Sequence, residues 1–200
     1  METSWKTVTG NLYKGVLIQV WCNIAAAIFA FIAVISAVGD LASGDLFGAV
    51  VWGFWDWMEL VASIGALYGF WVFFSNINPW KALVANEDAK AVGNIYTATM
   101  LQMIAIVLAF IPFVGIVGVI LNIVAWFMLL LAYSNLKNSA TLPAGAKQGA
   151  SKIFTAMILN LIALVIGWIP LIGIIGSILS IVAFFMTLSG WKCIANSEQA

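Results

Sequence analysis

Arginine and histidine are both absent from this 200-residue chain, and all eight of its basic residues are lysines. Without imidazole there is no Ser-His-Asp or Cys-His nucleophile system, no imidazole metal site and no His-ligated haem. Without guanidinium there is no bidentate clamp for phosphate or carboxylate. The two cysteines, Cys22 and Cys193, form no CxxC pair and read as inert thiols, so no disulfide framework or thiolate metal site is predicted. Charge is equally scarce: charged residues make up 8% of the chain and sum to zero. That removes any basic stripe for nucleic acid or anionic lipid.

What remains is 64% hydrophobic, with a mean hydropathy of +1.09. A soluble domain carries roughly 25% charged residues, and sixteen charges cannot coat a fold of this size. Lipid must cover most of it. The composition excludes a cytosolic globular enzyme, a nucleic-acid binder and a disordered chain. It predicts an all-α integral membrane protein with the lipid bilayer as its first partner.

A transmembrane helix needs about 20 mostly apolar residues. Leu12–Val38 and Leu46–Asn76 each supply one span. Asn94–Lys137 is too long for one crossing and is broken at Ile111-Pro112-Phe113-Val114-Gly115. Proline removes a backbone donor and glycine permits a tight turn, so two helices, about 94–111 and 113–137, are expected there. The same device, Pro170 to Gly173, divides residues 150–195. Six spans result. The first is too long for a signal-peptide core and is read as retained.

Lysines test the count, because cytoplasmic loops are enriched in them. Lys6 and Lys14, then Lys81 and Lys90, then Lys137, Lys147 and Lys152, and finally Lys192 all fall on one side of a six-span chain. The intervening connections have none. Both termini are therefore expected in the cytoplasm, in the plasma membrane (the inner membrane of a bacterium).

The chain also repeats itself. Residues 94–139 and 152–197 align without a gap at an offset of 58 (152 − 94), with 22 of 46 positions identical. Residues 11–78 look like a diverged third copy. Asn11-Leu12-Tyr13 and Gln19 match Asn94-Ile95-Tyr96 and Gln102 at an offset of 83. Ser63-Ile64 and Phe74-Ser75-Asn76 match Asn122-Ile123 and Tyr133-Ser134-Asn135 at an offset of 59. The difference, 83 − 59 = 24, is an outer insertion at about 34–57. Twelve extra residues on each helix would project about 18 Å; an interfacial helix is the alternative. Residues 1–200 thus read as one membrane domain of three tandem two-helix hairpins.

Three tandem hairpins of one orientation resemble the mitochondrial carriers in topology. The charged, proline-containing signature of those carriers has no counterpart here, since Pro112 and Pro170 sit in turns. No family is assigned.

Two groups of residues are candidate sites. Gln19, Gln102 and Asn160 are equivalent in the first helices of the repeats, and Ser63, Asn122 and Ser180 in the second. They are either interhelical glue or an uncharged polar layer lining a path. The insertion carries Trp52, Trp55, Asp56, Trp57 and Glu59. The tryptophans read as an outer aromatic belt, and the acids either as solvated groups or as a cation- or ligand-contacting pair. Gly65 and Gly69 form a GxxxG, and Ser139–Ser151 reads as a flexible linker.

The expectation is a non-enzymatic protein, channel- or transporter-like, without catalytic, cofactor or metal sites. A homo-oligomer or a larger membrane complex is the expected assembly. The alternatives are a structural or accessory subunit and a membrane-perturbing effector.

Overall fold

The computed structural model describes residues 4–45, 48, 53–109, 115–167 and 173–198. Its elements are α1 (Trp5–Ser43), α2 (Phe54–Leu83), α3 (Asn86–Ala109), α4 (Gly115–Lys137), α5 (Ala144–Gly167) and α6 (Gly173–Ala195). Each is long and apolar enough to cross a bilayer. The protein is all-α among the described residues, as a chain in hydrocarbon must be when it cannot close a barrel: every backbone polar group needs an internal partner.

Many large apolar side chains stay outside. Ile116, Phe127, Leu131, Ile174 and Phe185 are all exposed, a surface suited to lipid and not to water. The lysines lie near the starts of the odd-numbered helices and near the ends of the even-numbered ones.

The chain divides into two compact units, residues 14–73 and the remainder. In the larger unit α3 packs on α4, α4 on α5 and α5 on α6. Its core sits at the lysine-bearing ends of the helices, where Val8, Leu12, Ile77, Trp80, Val92, Ile95, Leu136 and Ile194 are fully buried. Trp191 meets Trp80 edge-on at 6.0 Å and Tyr133 at 6.3 Å. The Trp5 indole N–H donates to Ser197 Oγ at 3.1 Å, tying the start of α1 to the end of the chain. Polar contacts join the same region: Asn11 Nδ2 donates to Asn76 Oδ1 at 3.4 Å, and the Lys137 ammonium lies 3.6 Å from the Phe154 ring centroid.

Glycine sets how closely helices approach. In lipid there is no hydrophobic drive between helices, so small residues bring backbones into contact. A Cβ on Gly118 would lie 2.8 Å from the Ala105 carbonyl oxygen, and one on Gly176 would lie 2.8 Å from that of Ala163. Both contacts seat an even-numbered helix on its odd-numbered neighbour.

In the smaller unit α1 and α2 approach in the same way. Gly69 faces the backbone of Gly15 and Gln19, and Gly65 faces Cys22 Sγ. The GxxxG is therefore consumed inside the chain. Phe29 stacks on Trp55 at 6.0 Å, which marks the level where α2 begins. Beyond Phe29, α1 continues for fourteen residues to Ser43, about 20 Å at 1.5 Å per residue. The extra helical length thus lies on α1, not equally on both helices. Gly44, at φ 86°, ends it: its N–H bonds the Leu41 carbonyl while the Asp45 N–H bonds that of Asp40. This is a Schellman cap, which needs a left-handed residue at that position.

The Ser139–Ser151 segment departs from the linker expectation. Residues from Ala144 onward already belong to α5. Ser139 and Thr141 donate to the buried Asp88 carboxylate at 2.7 and 2.5 Å, and Ser139 Oγ accepts from the Thr141 and Leu142 N–H groups. The connection is a hydrogen-bonded turn anchored to the first turn of α3.

Candidate functional site

Four of the six predicted polar residues share one position along their helices. Gln102 stands seven residues before the end of α3 and Asn160 seven before the end of α5. Asn122 stands seven after the start of α4 and Ser180 seven after the start of α6. Each lies about 10 Å from the end of its helix that adjoins the expected turn, at Ala109, Gly115, Gly167 or Gly173. The glycine contacts at Ala105–Gly118 and Ala163–Gly176 hold this register.

Asn160 is the centre of the arrangement. It lines a groove of about 430 Å³ with Ser177, Ser180, Gly167 and Gly176, between α5 and α6. It also lines a second groove, about 490 Å³, with Asn122, Trp126, Phe127, Leu161 and Leu164, between α4 and α5. Asn122, Asn160 and Ser180 are exposed, whereas Gln102 is half-buried. Among the described residues no hydrogen bond engages the Gln102, Asn122, Asn160 or Ser180 side chain. Ser177, which completes the first groove, was not among the sequence candidates; its spacing of three from Ser180 on an apolar helix was the available signal.

The smaller unit is arranged differently. The Gln19 backbone lies level with Gly69, six residues along α2 from Ser63, or about 9 Å. The close approach of Gly15 and Gly69 fixes that stagger. Ser63 instead joins Asp56, Glu59 and Leu60 along one stripe of α2, lining a cleft of about 230 Å³. The 56-59-60-63 spacing puts all four on one helical face. Asp56 accepts from the Gly53 N–H at 2.7 Å, as an acid in the first turn of a helix does. Trp55 is half-buried on Phe29, while Phe54 and Trp57 point outward.

Trp52, Pro112 and Pro170 lie outside the described residues. Gly115 and Gly173, expected in turns, are the first residues of α4 and α6. Cys22 and Cys193 are both unpaired thiols, and Lys152 Nζ donates to Ser189 Oγ at 2.9 Å and to Cys193 Sγ at 3.3 Å. No cluster of three metal-ligating side chains occurs among the described residues.

Chemically, the grooves offer amides and hydroxyls: uncharged donors and acceptors, beside apolar walls, at one level about seven residues from one end of each helix. Compared with protein-family models, curated proteins and solved structures, the chain matches none of them.

Proposed function

We propose that this is a non-enzymatic, channel- or transporter-like membrane protein that offers small uncharged solutes a polar passage. The reading places it in the plasma membrane, or bacterial inner membrane, as three tandem hairpins with both termini cytoplasmic. The observation that carries it is the level set of Gln102, Asn122, Asn160 and Ser180, with Ser177 leading from that level toward the turn end. Hydrogen-bonding groups without fixed charge accommodate hydroxyls, amides and water. The absence of acids and bases at this depth argues against proton-coupled pumping.

Two further features support the hairpin reading. The Gly118–Ala105 and Gly176–Ala163 contacts fall on positions related by the same offset of 58. The lysines keep to one end of every helix, as the positive-inside rule requires. An accessory-subunit role is the second reading, favoured by the outward exposure of Asn122 and Asn160.

The test is stopped-flow permeability of proteoliposomes to water and glycerol. The protein should raise one or both above empty liposomes, and an Asn160→Leu, Ser180→Ala variant should lose most of the increase. Permeability equal to that of empty liposomes would remove the passage.

A further inference from the structure

We infer that a second copy of this chain docks over the groove between α4 and α5, with Asn122 and Asn160 of one copy hydrogen-bonded to Asn160 and Asn122 of the other. This deepens the passage reading by naming what closes the groove, and it rests on that reading only for the membrane setting.

The inference begins with two exposed carboxamides in one groove. Asn122 and Asn160 stand seven residues from the turn ends of adjacent antiparallel helices, and neither is hydrogen-bonded among the described residues. Elsewhere the groove is apolar, walled by Trp126, Phe127, Leu161 and Leu164. On the side of this groove that faces lipid there is no bulk water, and each unmade amide hydrogen bond is costly in hydrocarbon. Lipid chains have neither donors nor acceptors.

The occupant must therefore be apolar over most of its surface and carry a donor and an acceptor at the same depth. A second copy meets both conditions. A carboxamide is donor and acceptor at once, so the pair is self-complementary. A two-fold axis along the membrane normal preserves depth, so it brings one copy's amides level with the other's. An isologous interface then pairs residue i with j and j with i, which places Asn122 opposite Asn160 twice. The exposed Ile123 and Leu161 flank the amides and exclude lipid from them. The Asn160 that serves this seam also lines the α5–α6 groove, so docking would close a wall of the passage.

The full chain in nanodiscs or native-like vesicles, read by native mass spectrometry, tests this. The wild type should be dimeric, and an Asn122→Leu, Asn160→Leu variant should dissociate about tenfold more readily, the scale expected for two interhelical amide pairs. Leucine on a lipid-facing groove should leave the helical content unchanged. Oxidative cross-linking gives an independent reading that needs no asparagine variant. In a background with Cys22→Ala and Cys193→Ser, Leu161→Cys should cross-link in membranes and Ile178→Cys, on α6, should not. A monomeric wild type, an unweakened double variant, or equal cross-linking at both positions would overturn the inference. Permeability is a separate readout: dimers that pass neither water nor glycerol would refute the passage and leave the seam standing.

Discussion

A Gly149→Val variant is expected to lose the close pairing of α5 and α6 at their lysine ends, with stability falling by about 3 kcal/mol. A Cβ on Gly149 would run into the Gly190 carbonyl oxygen, lie 2.6 Å from Ile194 Cγ1 and stand 3.1 Å from the Ile194 nitrogen. Two of those three neighbours are backbone atoms, so no rotamer change relieves the clash. The helices must separate, and with them the buried Ile153, Trp191 and Ile194 that pack around the crossing. Gly10→Ala is the control, because a Cβ there meets nothing within 4 Å and alanine favours the helix. Unfolding in detergent, followed by circular dichroism, should show a large loss for the first variant and none for the second. Equal behaviour would mean that the α5–α6 crossing does not set the fold.

The second large effect is expected in the first hairpin. Past Phe29, α1 carries the exposed Phe31, Val34, Ile35, Val38 and Leu41 for about 20 Å beyond the start of α2. Near its base stand the exposed Phe54 and Trp57 with Asp56 and Glu59. Aromatic anchors beside charge are what a binding surface uses, and also what a headgroup belt uses. Replacing residues 27–55 with the five-residue stretch Phe110–Val114 removes 24 residues and restores the spacing of the second hairpin. If the segment contacts a partner chain, the exchange should weaken that association by tenfold or more, roughly the scale of one aromatic hot spot. A shortened protein that keeps its oligomeric state, its co-purifying partners and its permeability would make the segment a float at the interface.

The six apolar helices are legible in the sequence because apolar run length and the two Pro-to-Gly breaks are local signals. The insertion was legible only in total. A repeat alignment counts the surplus residues, but which helix carries them depends on where Phe29 meets Trp55, a contact between residues 26 apart. The Ser139–Ser151 connection shows the same limit. Its small polar residues resemble a linker, and the partner that orders it, Asp88, lies 51 residues before Ser139. For the polar residues, depth could be read by counting from the turns. Their direction could not, because α4 and α6 are apolar on every side and leave no polar face to betray which way Asn122 or Ser180 points.

The proposed function requires six crossings with both termini inside. Single cysteines in the Cys22→Ala, Cys193→Ser background, labelled in sealed cells with a membrane-impermeant maleimide, test that directly. Ser43, at the exposed end of α1, is one position; Ala140, exposed beside the Asp88-bonded Ser139, is the other. Ser43→Cys should react from outside and Ala140→Cys only after the membrane is opened. Reaction of both from the same side would contradict the six-span topology.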